Sequence, residues 1–168
     1  MNTFIEKKIE DFSSNAFTMI GKEWMLISAE KDGKVNTMTA SWGGLGILWN
    51  EPVAYIFIRP QRYTKEFVDA NEKLTLSVLD DSFRKQLSYL GTVSGRDENK
   101  IEKAGLTVRN DYDAPFFDEA KTVFVCKKLF AQELNPDCFI EKAIDGAMYP
   151  NHDYHTMYVC RIEKILER

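Results

Sequence analysis

The sequence predicts a mostly β fold, an antiparallel β-barrel that is closed or partly closed, with short helices in its connections. Six or so segments have the length and hydrophobic pattern of strands, and two of them form a visible hairpin. The helical segments are short, and the regular strand–helix alternation of a parallel sheet is not found. No GxGxxG turn opens a helix, which argues against a dinucleotide-binding α/β fold. A length of 168 residues suits one domain over 1–168.

The first two predicted strands form the hairpin. Residues 23–30 have a strand pattern, Asp32 and Gly33 provide a two-residue turn, and 35–41 return antiparallel. The side chains of 35–41 are mostly small or polar, which is unusual for a core strand.

The next three elements have apolar patterns that fix their types. Residues 53–59 form a continuous apolar run and predict a buried strand, which Pro60 ends. Residues 65–72 predict a short helix. Residues 73–79 alternate apolar and polar side chains, which predicts a strand with one face inward.

The C-terminal half is predicted to hold two helices and the two longest strands. Residues 83–90 repeat apolar side chains at helical spacing, and 97–104 form a second short helix that Gly105 ends. The long strands are predicted over 121–133 and 154–166.

Composition excludes several functional classes. A net charge of -4 does not suit a nucleic-acid partner, and no stretch reaches the roughly 18 apolar residues of a membrane span. The three cysteines (Cys126, Cys138 and Cys160) are far apart and odd in number, which indicates free thiols and a cytoplasmic location. With only His152 and His155, and no CxxC spacing, we expect no metal site.

Basic and hydroxyl side chains gather where the helix over 65–72 begins. Arg59, Arg62 and Thr64 precede it, and a helix start presents unpaired N–H groups. A phosphate could bind there with a guanidinium fork from Arg62. The alternative is that Thr64 only caps the helix and that both arginines are solvated.

The polar strand before this point could accept a flat ligand. Short side chains over 36–41 would let a planar ring approach the backbone, and Met38 and Trp42 could cover a ring face. The alternative is an edge strand that faces water, with Trp42 in the core and Gly43, Gly44 and Gly46 in turns or bulges.

Three motifs together resemble a known family. They are Asn-Thr-Met-Thr-Ala-Ser-Trp at 36–42, Arg-Pro-Gln-Arg-Tyr-Thr at 59–64 and Gly-Thr-Val-Ser-Gly-Arg-Asp at 91–97, with Lys100 at the usual spacing after the third. The chain resembles the flavin reductase-like proteins, the FMN-binding split-barrel group that includes flavoredoxins, from about residue 12 to its end. Leu90 stands where a cysteine is frequent in that family, so thiol chemistry is not expected at this position.

The resemblance implies a six-stranded antiparallel split barrel that forms a homodimer, with one FMN per protomer near the interface. The segment 36–42 would lie beside the isoalloxazine ring and 59–64 would hold the phosphate. The loop with Ser94 and Arg96 would complete the site or shape the dimer contact, unless it is only a turn in which Asp97 caps the next helix. The implied FMN-binding residues are Asn36, Thr37, Met38, Thr39, Ala40, Ser41, Trp42, Arg59, Arg62, Tyr63, Thr64, Ser94 and Arg96.

The activity that the resemblance implies is hydride transfer from NADH or NADPH to flavin N5, which needs no general base or nucleophile from the protein. Two alternatives stay open: an electron carrier like flavoredoxin, reduced by a redox protein partner, and a binding module for flavin or another phosphate ligand without turnover. His152 and His155 could supply a proton near the flavin or could be two surface side chains at a strand entrance.

Overall fold

The computed structural model describes residues 3–168 and contains ten strands and five α-helices in that range. The strands are β1 Ile5–Lys7, β2 Met25–Lys31, β3 Lys34–Ala40, β4 Gly43–Leu48, β5 Glu51–Ile58, β6 Lys73–Leu79, β7 Val108–Arg109, β8 Phe116–Phe117, β9 Ala120–Glu133 and β10 Thr156–Glu167. The helices are α1 Ala16–Thr18, α2 Thr64–Ala70, α3 Arg84–Thr92, α4 Lys100–Lys103 and α5 Lys142–Met148.

Eight strands form one antiparallel sheet that curls into a split barrel. Its order is β3-β2-β6-β9-β10-β5-β4, with β1 added on β10. The two ends of this order, β3 and β4, are consecutive in the chain and joined only by Ser41 and Trp42. The Cα atoms of Ala40 and Gly43 are therefore at most about 11 Å apart. The two sheet edges meet at this link and are not paired with each other, which leaves the split.

The predicted hairpin is confirmed. Asp32 and Gly33 both have positive φ, 52° and 73°, the combination that a type I′ turn requires. The β2–β3 register runs from Lys31 opposite Lys34 to Met25 opposite Ala40. This register decides which β3 side chains face the barrel interior.

The core has two layers, one inside the barrel and one outside. The interior cluster includes Ile27, Ile56 and Phe124, and the outer cluster packs Leu87 and Leu90 of α3 against the sheet. The prediction that 73–79 buries only one face is wrong. Thr75 and Ser77 are also buried, because the segment around β8 covers the second face and Pro115 O accepts a hydrogen bond from the Thr75 hydroxyl.

Other boundaries differ from the prediction. The helix expected over 97–104 is shortened to α4, and its N-cap is Asn99 rather than Asp97. Gly105 has a φ of 69° just after α4, as expected for a helix-ending glycine. The glycines expected in turns or bulges lie in β4, whose pairing with β5 no local pattern indicated.

The cysteines are free, as expected. Cys126 and Cys160 are buried and Cys138 is exposed. Burial raises the pKa of the Cys160 thiol to about 12 and that of Cys126 well above its ordinary value, so both are chemically inert core residues.

Candidate functional site

Two adjoining cavities lie beside β3, and the larger one also borders the link between β3 and β4. The larger, of about 360 Å³, is named the β3 cleft and is lined by Met38, Thr39, Ala40, Ser41, Trp42, Phe57, Arg59, Gln61, Arg62 and His155. The smaller, of about 60 Å³, is named the cation pocket and is lined by Asn36, Met38, Gln61, Arg62, Tyr63, Thr64, Thr92, Val93, Ser94 and Lys100. Three residues line both, so the polar strand and the arginine-rich helix start predicted from sequence do meet in space.

Two cations dominate the cation pocket. Arg62 donates from Nη1 to Gly91 O at 2.9 Å, and Lys100 donates from Nζ to Leu90 O at 2.8 Å and Val93 O at 2.9 Å. Within residues 3–168, no Asp or Glu lines this pocket. Within the described part of the chain, these two positive charges thus lie together and are stabilised by carbonyl dipoles.

Burial makes these charges costly. Lys100 is only 4% exposed, and desolvation, with a smaller contribution from the Arg62 charge, lowers its pKa to about 8. Desolvation also lowers the pKa of Arg62. Since a shift of one pKa unit corresponds to about 1.4 kcal/mol, the charged form of Lys100 costs on the order of 3 kcal/mol. An anion in the pocket would offset that cost.

Thr64 lies within α2, whereas the sequence predicts a position before the helix. It is the first residue of α2 rather than its cap, which is Tyr63, and its side chain is buried. Its Oγ1 accepts a hydrogen bond from Asn36 Nδ2 at 2.9 Å, and this bond ties the polar strand to the start of α2.

The hydroxyl groups of β3 are used inside the fold. Thr37 is fully buried, with Oγ1 donating to Ile27 O at 3.0 Å, and Thr39 Oγ1 donates to Leu87 O at 2.5 Å. The hydroxyl protons of Thr37 and Thr39 are therefore donated to protein carbonyl groups. β3 still offers its backbone, because it is an edge strand that pairs only with β2.

Aromatic side chains line the other side of the β3 cleft. Trp42 is 42% exposed, so it is not the core aromatic of the alternative interpretation. Its ring centroid lies 5.2 Å from that of His155. His155 Nδ1 lies 2.8 Å from the Tyr149 hydroxyl. Trp42 and His155 thus present flat surfaces beside the strand edge.

His155 is neither a surface residue nor a cationic proton donor. It is 7% exposed, and desolvation, followed by the nearby Arg59 charge, lowers its pKa to about 4. The imidazole is therefore neutral near pH 7. His152 is exposed, and its Nδ1 lies 3.2 Å from the Tyr154 hydroxyl. It does not line the β3 cleft.

The low pKa of His155 has a consequence for stability. The unfolded chain binds a proton at this residue near pH 6.5 and the folded chain only near pH 4, so acid favours the unfolded state in this window. We expect the free energy of unfolding to decrease by up to about 3 kcal/mol from this residue as pH falls from 6.5 to 4. The loss should be smaller in H155Q, measured by urea unfolding at each pH. A wild-type His155 proton resonance that titrates near pH 6.5 would contradict the expectation.

Arg59 lies apart from the cation pocket. Its Nη1 donates to Asp153 Oδ2 at 2.6 Å, and Gln61 Nε2 donates to the same oxygen at 2.7 Å. These two hydrogen bonds, from Gln61 first and then Arg59, lower the pKa of Asp153. Because Asp153 neutralises its charge, Arg59 lines the β3 cleft as one member of an ion pair and does not join Arg62 in the cation pocket.

Ser94 and Arg96 lie in one loop but have different roles. Ser94 lines the cation pocket, and its Oγ accepts a hydrogen bond from Arg96 N at 3.2 Å. Arg96 lines neither cavity: its guanidinium stacks 4.5 Å above the Tyr63 ring and pairs with Glu66. Arg96 therefore fastens the loop against α2.

The predicted site residues did not include five residues that line the two cavities: Phe57, Gln61, Thr92, Val93 and Lys100. The position of Lys100 in the third motif was a usable signal, but its burial could not be foreseen. Among residues 3–168, no cluster of His, Cys, Asp and Glu could hold a metal ion. In the same range, no helix combines the length and hydrophobicity that crossing a bilayer needs.

The fold and these motifs match known proteins. The sequence profile described as "Flavin reductase like domain" matches residues 18–168. A protein of Aeropyrum pernix, uncharacterized, is 31% identical over 85 residues, which are 50% of this chain and 32% of that protein. The chain thus spans about a third of the length of this relative.

Three solved structures illustrate the similarity. An FMN-binding domain of a flavin reductase-like enzyme from Shewanella baltica gives a TM-score of 0.71 at 16% identity, covering 99% of this chain and 78% of that one. Flavoredoxin from Methanosarcina acetivorans gives a TM-score of 0.66 at 21% identity, and the match covers 87% of this chain and 68% of that one. The styrene monooxygenase flavin reductase of Pseudomonas putida gives a TM-score of 0.61 at 16% identity, and the match covers 85% of this chain and 78% of that one. At these identities the structures show a shared split-barrel fold. Because the family profile covers most of the sequence, this chain belongs to the flavin reductase like domain family.

Proposed function

We propose that this protein binds FMN, with the phosphate in the cation pocket and the isoalloxazine ring in the β3 cleft, and that NADH or NADPH reduces the bound flavin. The observation that carries the proposal is the pair of cations, the half-buried Arg62 and the buried Lys100, in a pocket that no carboxylate of residues 3–168 lines. Solved proteins of the same fold that are described as FMN-binding or as flavin reductases agree with it.

The cation pocket suits a phosphate in charge and in donors. Arg62 and Lys100 each use some N–H groups on backbone carbonyls and keep others free, because a guanidinium has five donors and an ammonium has three. Charge-assisted hydrogen bonds from these groups to phosphate oxygens are among the strongest in proteins. The Ser94 hydroxyl stands at the same pocket.

The β3 cleft suits a planar heterocycle. The free edge of β3 offers backbone N–H and C=O groups to ring heteroatoms, and the side chains at Ala40 and Ser41 are small enough for close approach. Trp42 and the neutral His155 can contact ring atoms without placing a full charge in the cleft. The three residues shared with the cation pocket make one continuous site.

When bound, FMN supplies two-electron redox chemistry, and the protein needs only to orient it and leave one face open to the nicotinamide. The paired charges of Arg59 and Asp153 keep this part of the cleft close to electrically neutral. Trp42, partly exposed at the mouth, is placed to stack on an incoming ring.

Anaerobic mixing of the FMN-loaded protein with NADH and with NADPH tests the activity. We expect the visible absorbance of the oxidised flavin to bleach with at least one of them. Bleaching by dithionite or a reduced ferredoxin but by neither pyridine nucleotide would refute the reductase and favour the electron-carrier alternative. A protein that binds no FMN would refute the whole proposal.

We also propose that the protein forms a homodimer. Apolar side chains before and within α5 are exposed to solvent: Ile140 at 99%, Ile144 at 44% and Met148 at 38%. They follow one another at helical spacing, and α5 leads into Tyr149, which contacts His155 of the β3 cleft. A second copy of the chain packed against these three side chains would remove them from water and would lie close to the flavin. Sedimentation equilibrium should give twice the mass of one chain, and a monomeric mass would contradict the proposal.

A further inference from the structure

The side chains behind His155 form a connected network at the end of α5. Arg59 Nη2 donates to Met148 O at 2.9 Å, and the Arg59 guanidinium carbon lies 4.9 Å from the centre of the Tyr149 ring. The Nη1 arm of the same arginine is paired with Asp153. Arg59 therefore fixes the position of Tyr149, and Tyr149 in turn contacts His155.

The Tyr149 hydroxyl lies against one nitrogen of the His155 ring. Tyr149 is 5% exposed, and within residues 3–168 its hydroxyl makes a hydrogen bond only with His155 Nδ1, at 2.8 Å. A buried hydroxyl proton needs an acceptor, and the guanidinium beside the ring has no lone pair to offer. The hydroxyl therefore donates its proton to Nδ1, so Nδ1 must be the unprotonated nitrogen of the imidazole.

The single proton of the imidazole then lies on Nε2. Desolvation, followed by the Arg59 charge, lowers the pKa of His155 to about 4, so the ring is neutral near pH 7. A neutral imidazole carries one N–H, and the hydrogen bond at one nitrogen decides which nitrogen that is. Because Nδ1 accepts from Tyr149, the N–H group is at Nε2.

The Nε2 edge of His155 opens into the β3 cleft. His155 lines this cleft, and within residues 3–168 Nε2 neither makes a hydrogen bond nor is enclosed by protein. Trp42 and Phe57 pack around the ring at centroid distances of 5.2 Å and 6.5 Å. A half-turn of the ring would place a carbon atom against the Tyr149 hydroxyl and leave its proton without an acceptor. The contacts therefore hold one orientation, with the N–H toward the cleft.

We propose that Tyr149 is a positioning residue: it keeps His155 in the Nε2–H form, so that the β3 cleft presents a fixed and uncharged hydrogen-bond donor to the bound ring. The inference rests on the proposed function and adds how the polarity of His155 is set. A nitrogen or carbonyl oxygen of the isoalloxazine can accept from Nε2–H. With the proton on Nδ1, the same position would present a lone pair and repel that acceptor.

Nitrogen-15 NMR of the flavin-free chain tests the position of the proton near pH 7. We expect His155 Nδ1 to have the shift of an unprotonated ring nitrogen and Nε2 that of a protonated one. In Y149F, Nδ1 loses its donor, so both shifts should move toward the averages of two exchanging forms. Y154F is the matched control, because Tyr154 is also buried but donates to Asp145 Oδ1 at 2.8 Å. The His155 shifts of Y154F should equal those of the wild type.

Titration of the same variants with FMN measures the effect on the ligand. Y149F should weaken FMN binding about twofold to tenfold, the effect of one neutral hydrogen bond, and Y154F should leave the affinity unchanged. Adding Y149F to H155F should cause no further loss, because the hydroxyl acts through the imidazole. A further loss as large as that of Y149F alone would contradict the positioning role.

The outcomes separate this inference from the proposed function. A proton on Nδ1 in the wild type, or wild-type His155 shifts in Y149F, would overturn the inference while FMN binding stands. A chain with the expected His155 shifts that binds no FMN would overturn the proposed function. If Y149F does not fold, the wild-type spectrum decides: a scalar coupling between the Tyr149 hydroxyl proton and Nδ1 supports the inference, and a proton bonded to Nδ1 contradicts it.

Discussion

Replacing Arg62 with Ala is expected to weaken FMN binding by about 1.5–3 kcal/mol, or roughly 10- to 150-fold in the dissociation constant. Arg62 is one of two cations in the cation pocket, and within residues 3–168 no carboxylate lining that pocket competes for it. Its loss removes charge-assisted hydrogen bonds to the phosphate and leaves Lys100 as the only cation there. Isothermal titration of the flavin-free protein with FMN measures the change.

The matched control is R161A, which also removes one positive charge from the chain. Arg161 pairs with Glu51 and lines neither the cation pocket nor the β3 cleft. Its replacement should change FMN affinity by less than about 0.5 kcal/mol, as for a surface substitution away from the site. If R62A and R161A bind FMN as tightly as the wild type, the phosphate lies elsewhere.

Replacing Gly43 with Ala is expected to destabilise the fold by about 2–4 kcal/mol, since it combines overpacking with an unfavourable backbone conformation. Gly43 has a φ of 154°, and a Cβ built there would lie 2.7 Å from Tyr55 O and 3.1 Å from Met25 Cε. The carbonyl belongs to β5, the partner of β4, so it can move only with the ladder. Urea unfolding at neutral pH measures the loss.

The neighbouring G44A is the control. A Cβ on Gly44 would meet only Tyr55 Cδ2 at 3.6 Å, an ordinary contact, so the loss should be under about 1 kcal/mol. Because Gly43 directly follows Ser41 and Trp42, G43A should also reduce FMN affinity, whereas G44A should not. Equal stability of the two variants would show that β4 tolerates a side chain at the link.

Much of the fold could be predicted from local pattern. The β2–β3 hairpin followed from an Asp-Gly pair between two strand-like runs, because that turn needs positive φ at both central residues. β5, β6, β9 and β10 followed from apolar runs, with ends displaced by a few residues. β4 could not be foreseen, since its glycine-rich sequence has no strand pattern and is held by pairing with β5.

The candidate site was predictable only as a set of motifs. Residues 36–42 and 59–64 do meet around the two cavities, as the two motifs considered together predicted. Which individual side chains face a cavity depended on the β2–β3 register, which puts Thr37 and Met38 on opposite faces of β3. Both are buried, and only Met38 of the two lines the β3 cleft. The pairing of Arg59 with Asp153 joins residues 94 positions apart, and no local pattern indicates it.

By itself, the sequence determined that this chain is a mostly β protein with hairpin connections and that its polar strand and arginine-rich helix start are unusual for structural segments. Those features follow from short-range patterns of hydrophobic residues and from the residues that form turns. Tertiary structure alone decided that Arg62 is an uncompensated cation while Arg59 is paired, and that Lys100 is buried beside Arg62 and His155 is neutral. Charge compensation and desolvation depend on what surrounds a group in space, and those neighbours come from distant parts of the chain.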